Sequence, residues 1–269
     1  MTDKKDPSFD QHLAPDPAPP QVTGLTRTVI ISLQTAIWWL SSHWLLLANV
    51  ITGAILAWGI LAPIFLAADM PEAAQTVYDW LAPHNHQLPQ RSYFLFGQLG
   101  PLRTYSVEQL IAAGADPTNL QFFVGDEALG FKMALNQRMT AIFVALFLGG
   151  ILWGLMKGRP KVGPVWFVLL LLPLLIDGFS HMLSENSSQG FRESNKWAVE
   201  LTGGLLPPTF YESFYEGDQI GTLNWWLRTV TGLLFGFGFV WFLFTYFSLQ
   251  FRAIRLKVEP KLRKVGVIK

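Results

Sequence analysis

Asp177 and His181 stand four residues apart in a run, 162–183, that is otherwise apolar. In a helix that spacing puts both on one face. An ionisable side chain inside a membrane span is costly and marks a functional site by default. The competing interpretation is structural. Arg138 and Arg228 adjoin the outer ends of neighbouring apolar runs, and Asp177 could simply pair with either. With His86, Arg91 and Glu193 these residues make a polar set of seven, which could converge at one membrane boundary. A carboxylate, a histidine and three arginines gathered there would suit an anionic ligand or a proton relay.

Other chemistries have less support. His84 and His86 flank Asn85, and a histidine pair two apart ligates a metal only with further ligands supplied by the fold. His181, Asp177, Glu185 and Glu193 are the weak candidates to supply them. The plainer interpretation of His84 and His86 is two loop histidines. No zinc-binding His-Glu-x-x-His helix, phosphate-binding glycine loop or nucleophile elbow is found. The Gly236-x-Gly238 pair falls inside an apolar run and is not a nucleotide motif. With no cysteine in the chain, thiolate and disulfide chemistry are ruled out, and no cofactor or metal is expected.

The elements that must carry these residues follow from composition. Charged residues make up 14% of the chain against about 25% in a typical soluble domain. Apolar residues reach 51%, and mean hydropathy is positive. Runs 44–68, 139–156, 162–183 and 229–251 are each long enough to cross a hydrocarbon layer of roughly 30 Å. Upstream, Ile30, Leu33, Ile37, Leu40 and Trp44 form a stripe at helical spacing. This makes 28–43 an interfacial helix lying in the membrane plane, with a fifth span as the alternative. Gly150 with Gly154, and Gly232 with Gly236, are small-xxx-small pairs that admit close helix packing.

Segments 69–137 and 184–227 supply the rest. Pro71 opens a helical pattern ended by Pro83, Ser106 and Gln109 form a capping box stopped by Gly114, and 195–202 is a short helix halted by Gly203 and Gly204. The expected fold is therefore an all-α integral membrane protein. It has four transmembrane helices, an interfacial N-terminal helix and an outer cap of short helices and loops. Residues 1–27 form a disordered tail and 252–269 a basic one.

Charge sets the sidedness. Of the 20 Lys and Arg, 13 lie in the N-terminal tail, the 157–161 loop and the C-terminal tail, which places those segments in the cytoplasm. Each long segment carries a net charge of −4, as expected of the opposite face. The expected location is the plasma membrane of a prokaryote, with both termini inside. The bilayer is the first partner, membrane-complex subunits or a homo-oligomer the next, and nothing suggests nucleic acid.

Five elements carry a family likeness. They are Asn85-His86-Gln87-Leu88-Pro89-Gln90-Arg91-Ser92-Tyr93-Phe94, Gln137-Arg138, Asp177-Gly178, Glu193-Ser194-Asn195 and Arg228-x-x-Thr231-Gly232-x-x-Phe235-Gly236. In this order they resemble the predicted prokaryotic membrane proteins grouped as DUF2085. That family usually has cysteine just before the histidine of the first element and just before the Gln-Arg of the second. Asn85 and Asn136 stand there in this chain. The resemblance implies that the first outer segment docks against the outer end of the second span, and it names no reaction.

Two functions fit these observations. One is a non-catalytic accessory, scaffold or assembly component of a membrane complex, favoured by the lack of a complete catalytic constellation. The other is an enzyme or small transporter with an anionic-ligand, proton or metal site at the outer membrane boundary. They are separated by whether the seven polar residues line one pocket or scatter as helix caps.

Overall fold

The computed structural model describes residues 23–159, 161–187, 190–202 and 208–269. The tail 1–22, and the glycines Gly203 and Gly204 expected to stop a helix, lie outside them. Four helices are long and apolar enough to cross a membrane: Gly24–Ala67, Gln137–Leu155, Pro164–Glu185 and Leu223–Lys264. These correspond to the four expected spans.

The first, α1 (Gly24–Ala67), is one unbroken helix. No separate interfacial helix over 28–43 is present, because nothing between Thr28 and Trp44 ends the helical hydrogen bonding. The other three spans are α4 (Gln137–Leu155), α5 (Pro164–Glu185) and α9 (Leu223–Phe239). A π-helical turn, Val240–Phe244, continues α9 into α10 (Thr245–Lys264). Residues 43–252 form one compact unit. The second unit comprises, of the described residues, 23–42 and 253–269, in which Leu262 is buried.

Within the larger unit, α4 and α5 both pack along α9. Glycine makes this possible. A Cβ at Gly232 would lie 3.0 Å from the Cβ of Ala141, and one at Gly236 would lie 2.6 Å from that of Ala145. Lipid tails are as apolar as the helices, so close approach of backbones provides the association energy. A Cβ at Gly154 would lie 3.1 Å from Leu45, and one at Gly150 would meet Asn49 and Phe244. Both small-residue pairs are therefore packing faces. At the other end of the spans Trp44 stacks on Phe251 and meets Trp153 and Phe244 edge to face.

The cap is not all helical. Strands β1 (Ser92–Gly97), β2 (Gly100–Arg103), β3 (Gly125–Asp126) and β4 (Gly130–Asn136) form an antiparallel sheet in the order β2-β1-β4-β3. This corrects the all-α expectation. The aromatic run Tyr93-Phe94-Leu95-Phe96 favours strand, but its partner β4 lies some 35 residues further on and leaves no local signal. The expected helices do form. They are α2 (Pro71–Leu81) with proline in its first turn, α3 (Val107–Ala112) behind a complete Ser106–Gln109 capping box, and α7 (Lys196–Thr202). Two others are α6 (Phe191–Ser194) and α8 (Pro208–Tyr215).

One core joins Ala62 of α1 to Ala74, Val77 and Leu81 of α2 and to Ala134 and Leu135 of β4. Because β4 runs directly into α4, the sheet is tied to the membrane helices without a linker. Asn136 caps α4 by accepting from the Met139 amide at 2.9 Å and donates its own amide to Asn85 Oδ1. Asn85 in turn donates to the Ala134 carbonyl at 2.6 Å. The segment between the first two spans thus docks on the second span, as the resemblance implies, through the Asn85–Asn136 amide pair.

Lys132 of β4 is 1% exposed and has no carboxylate partner among the described residues. Its Nζ donates to the carbonyls of Gln87 (3.0 Å) and Gln121 (2.6 Å) and lies over the Tyr78 ring. Burial pulls the amine down from its usual 10.5 to about 7. Between those values the unfolded chain binds a proton that the folded one gives up, so stability rises with pH from about 7 to 10.5 and is flat below. Each unit is worth about 1.4 kcal/mol. Thermal unfolding in detergent between pH 7 and 9 should show this rise in the wild type and lose it in Lys132→Met. The same slope in both proteins would contradict the assignment.

Candidate functional site

α5 turns Asp177, His181 and Ser184 inward, and all three are buried. Asp177 is the hub of the cluster. Its Oδ2 accepts from Arg138 Nη2 at 2.5 Å and its Oδ1 from Arg192 Nη2 at 2.8 Å. The expected pairing with Arg138 is present, whereas Arg228 binds Asp218 instead, at 2.6 Å. Asp218 lies in the loop entering α9, where Arg228 reaches it from the second turn of the helix. Arg91 shares Asp218 at 3.1 Å and also pairs with Glu185.

Every carboxylate in the cluster therefore serves a guanidinium drawn from a different element. Burial alone would raise the Asp218 carboxyl, yet Arg228 and Arg91 outweigh it and hold the group below the usual carboxylate range. Burial works against the Arg91 guanidinium too, and Asp218 with Glu185 overcomes it to hold Arg91 above its ordinary value. At Arg192 burial prevails over Asp177, and the group is lowered.

His181 does not join as an ion-pair partner of Asp177, despite its i+4 position. Its Nε2 lies 3.8 Å from that carboxylate but only 3.1 Å from Arg192 Nη2 and 3.2 Å from Arg228 Nη2. Guanidinium nitrogens only donate, so Nε2 is the acceptor and the proton resides on Nδ1. That Nδ1 is buried and has no partner.

Amides complete the cluster. Asn224 Oδ1 accepts from Arg192 and Asn195, while its Nδ2 donates to the carbonyls of Arg192 and Gly217. Gln137 donates to the Asp218 carbonyl at 3.0 Å. Arg192, Asp218 and Asn224 are absent from the set anticipated from sequence. One signal could have found Arg192. Seven Lys and Arg lie away from the basic face, and four of them (Arg91, Arg138, Arg192 and Arg228) converge here.

Five of the seven anticipated residues line one cavity of about 80 Å³: His86, Arg91, Arg138, His181 and Arg228, with Leu88 and Asn136. Asp177 sits behind them as the counter-ion of Arg138. Glu193 does not face the cavity. It joins through its carbonyl, which accepts from the Gly217 amide at 3.0 Å, and it lines a separate groove beside Arg91 and Asp218. His86 is exposed at the mouth. The side chain of His84 lies outside the described residues, and among those described no three His, Asp or Glu gather to hold a metal.

The cavity has a definite polarity. Three guanidiniums, those of Arg91, Arg138 and Arg228, line it, and no carboxylate does. In the ion-pair network around it four guanidiniums meet three carboxylates, an excess of one positive charge among the described residues.

A mostly helical chain with four helices long and apolar enough to cross a membrane defines the class as a membrane protein. Residues 127–210 match the family model described as predicted membrane protein (DUF2085), the family to which the motifs pointed. That stretch includes Gln137-Arg138, Asp177-Gly178 and Glu193-Ser194-Asn195, and with them the hub and its two arginines. No curated protein and no solved structure matches the chain.

Proposed function

We propose that this membrane protein is a ligand-binding component whose site is the arginine-lined cavity at the outer ends of α4, α5 and α9, and that it takes a small oxyanion. The observation that carries the proposal is the convergence of Arg91, Arg138 and Arg228 on one cavity that no carboxylate lines. A helix-capping role for these residues would disperse them. The ligand-site function is therefore favoured over the accessory or scaffold function, which rests on no comparable geometry. Nothing in the cluster pairs a nucleophile with a base, so binding rather than catalysis is the proposed act.

A ligand that binds only the folded protein stabilises it by about 2.7 kcal/mol at a hundredfold excess over Kd. Phosphate, sulfate or acetate should raise the unfolding temperature in detergent above that in chloride of equal ionic strength, saturably, and Arg138→Gln should lose the effect. Equal stabilisation by all salts would favour the scaffold alternative.

Both termini and the basic 157–161 loop are assigned to the cytoplasm of a prokaryotic cell, which puts the cavity on the outside. In this cysteine-free chain, single cysteines at Ala113 and Ser187 should react with an impermeant reagent applied to intact cells. Labelling at Gly158 instead would reverse the topology.

A further inference from the structure

The arginine cavity is too small to recognise a molecule by itself. Water in the liquid occupies about 30 Å³, so about 80 Å³ admits several waters or one acid group. Sites that recognise organic ligands run to roughly 300–1,000 Å³. A second pocket of about 500 Å³ adjoins the cavity, and His86 and Leu88 line both.

The character of this outer pocket is different. Gln75, Gln121 and Tyr78 give it neutral hydrogen-bonding groups, and Phe122 gives it an apolar wall. Its carboxylates are Asp79, on the exposed face of α2, and Glu185. Its one lysine, Lys132, is committed to the Gln87 and Gln121 carbonyls. The outer pocket has no arginine and its Glu185 is paired with Arg91, so negative charge belongs in the inner cavity and a ligand spanning both carries its acid at one end only.

Building on the anion site proposed above, we propose that the full ligand is a small organic acid with a single carboxylate or phosphate head. The head sits among Arg91, Arg138 and Arg228. A neutral, hydroxyl-bearing body passes His86 and fills the pocket beneath Gln75 and Gln121.

Calorimetric titration of the full-length protein in detergent, at fixed ionic strength and pH 7.5, tests this with paired probes. Inorganic phosphate is compared with glycerol 3-phosphate, acetate with glycerate, and glycerol alone is the control. In one pair the extended acid should bind at least ~10-fold tighter than its bare head, and that pair identifies the head as phosphate or carboxylate; this is about the factor that one or two added hydrogen bonds supply. Glycerol should not bind. Gln75→Trp, which narrows the outer pocket from the exposed face of α2, should abolish the difference between the members of that pair. Equal affinities of bare and extended acids in the wild type would overturn the extended ligand while leaving the anion site standing. A preference that survives Gln75→Trp would overturn the placement of the body. If no bare or extended acid binds, the anion site itself fails and this inference falls with it.

Discussion

Asp177→Asn should be among the most damaging conservative substitutions in the chain, costing ~3–5 kcal/mol. For a chain of this size that lowers the unfolding temperature in detergent by on the order of 10 °C. The carboxylate is 4% exposed and serves two guanidiniums from different elements, Arg138 of α4 and Arg192 of α6. Asparagine keeps the shape and removes the charge, leaving two cations facing each other in a space that solvent barely reaches. Removing a partner as well relieves part of the loss, and the two doubles differ. The Arg192 side chain is 6% exposed and that of Arg138 is 24%, so Arg192 is the costlier cation to leave unpaired. Asp177→Asn/Arg192→Gln should therefore recover more stability than Asp177→Asn/Arg138→Gln. Additive losses in both doubles would mean that neither pair is coupled.

Gly236→Val should prevent the protein from accumulating in the membrane, or cost ~3 kcal/mol or more where it does accumulate. A Cβ at Gly236 would stand 2.6 Å from the Ala145 Cβ and 2.8 Å from the Ile142 carbonyl oxygen. The second contact is with backbone, which cannot swing aside as a flexible side chain can. The two helices would have to part along a seam that also positions Arg138 and Arg228. Gly236→Ala should be milder, and Ala145→Gly should restore part of its loss by removing the nearer obstacle. Gly163→Ala is the control. Its φ is −79° and nothing lies within 4 Å of the added methyl, so the loss should be limited to the ~1 kcal/mol of a poorer N-cap on α5. A Gly236→Val protein as stable as the Gly163→Ala control would refute the close α4–α9 seam.

The spans were legible because each is a run almost free of charge bounded by Lys, Arg or a polar segment, and burial in lipid imposes that pattern on sequence directly. Capped helices were legible for the same reason: Pro71 and the Ser106–Gln109 box are local devices with local signatures. The sheet was not. Its hairpins β1–β2 and β3–β4 are local, but β1 pairs with β4 across 36 to 44 residues, in a register that no window along the chain contains. Asp177 announced itself by standing where charge is expensive. Its partner Arg192 did not, because it lies beyond the end of α5 in a polar segment and is buried only when α6 folds back over Ser184. Asp218 was hidden because one of its two guanidinium partners, Arg91, lies 127 residues away.

The most direct test of the central claim is a structure determined from crystals grown with selenate, located by its anomalous scattering. A selenate ion is expected in the cavity bounded by Arg91, Arg138 and Arg228, with their guanidiniums as its donors. A cavity holding only water, with selenate bound elsewhere or nowhere, would contradict it.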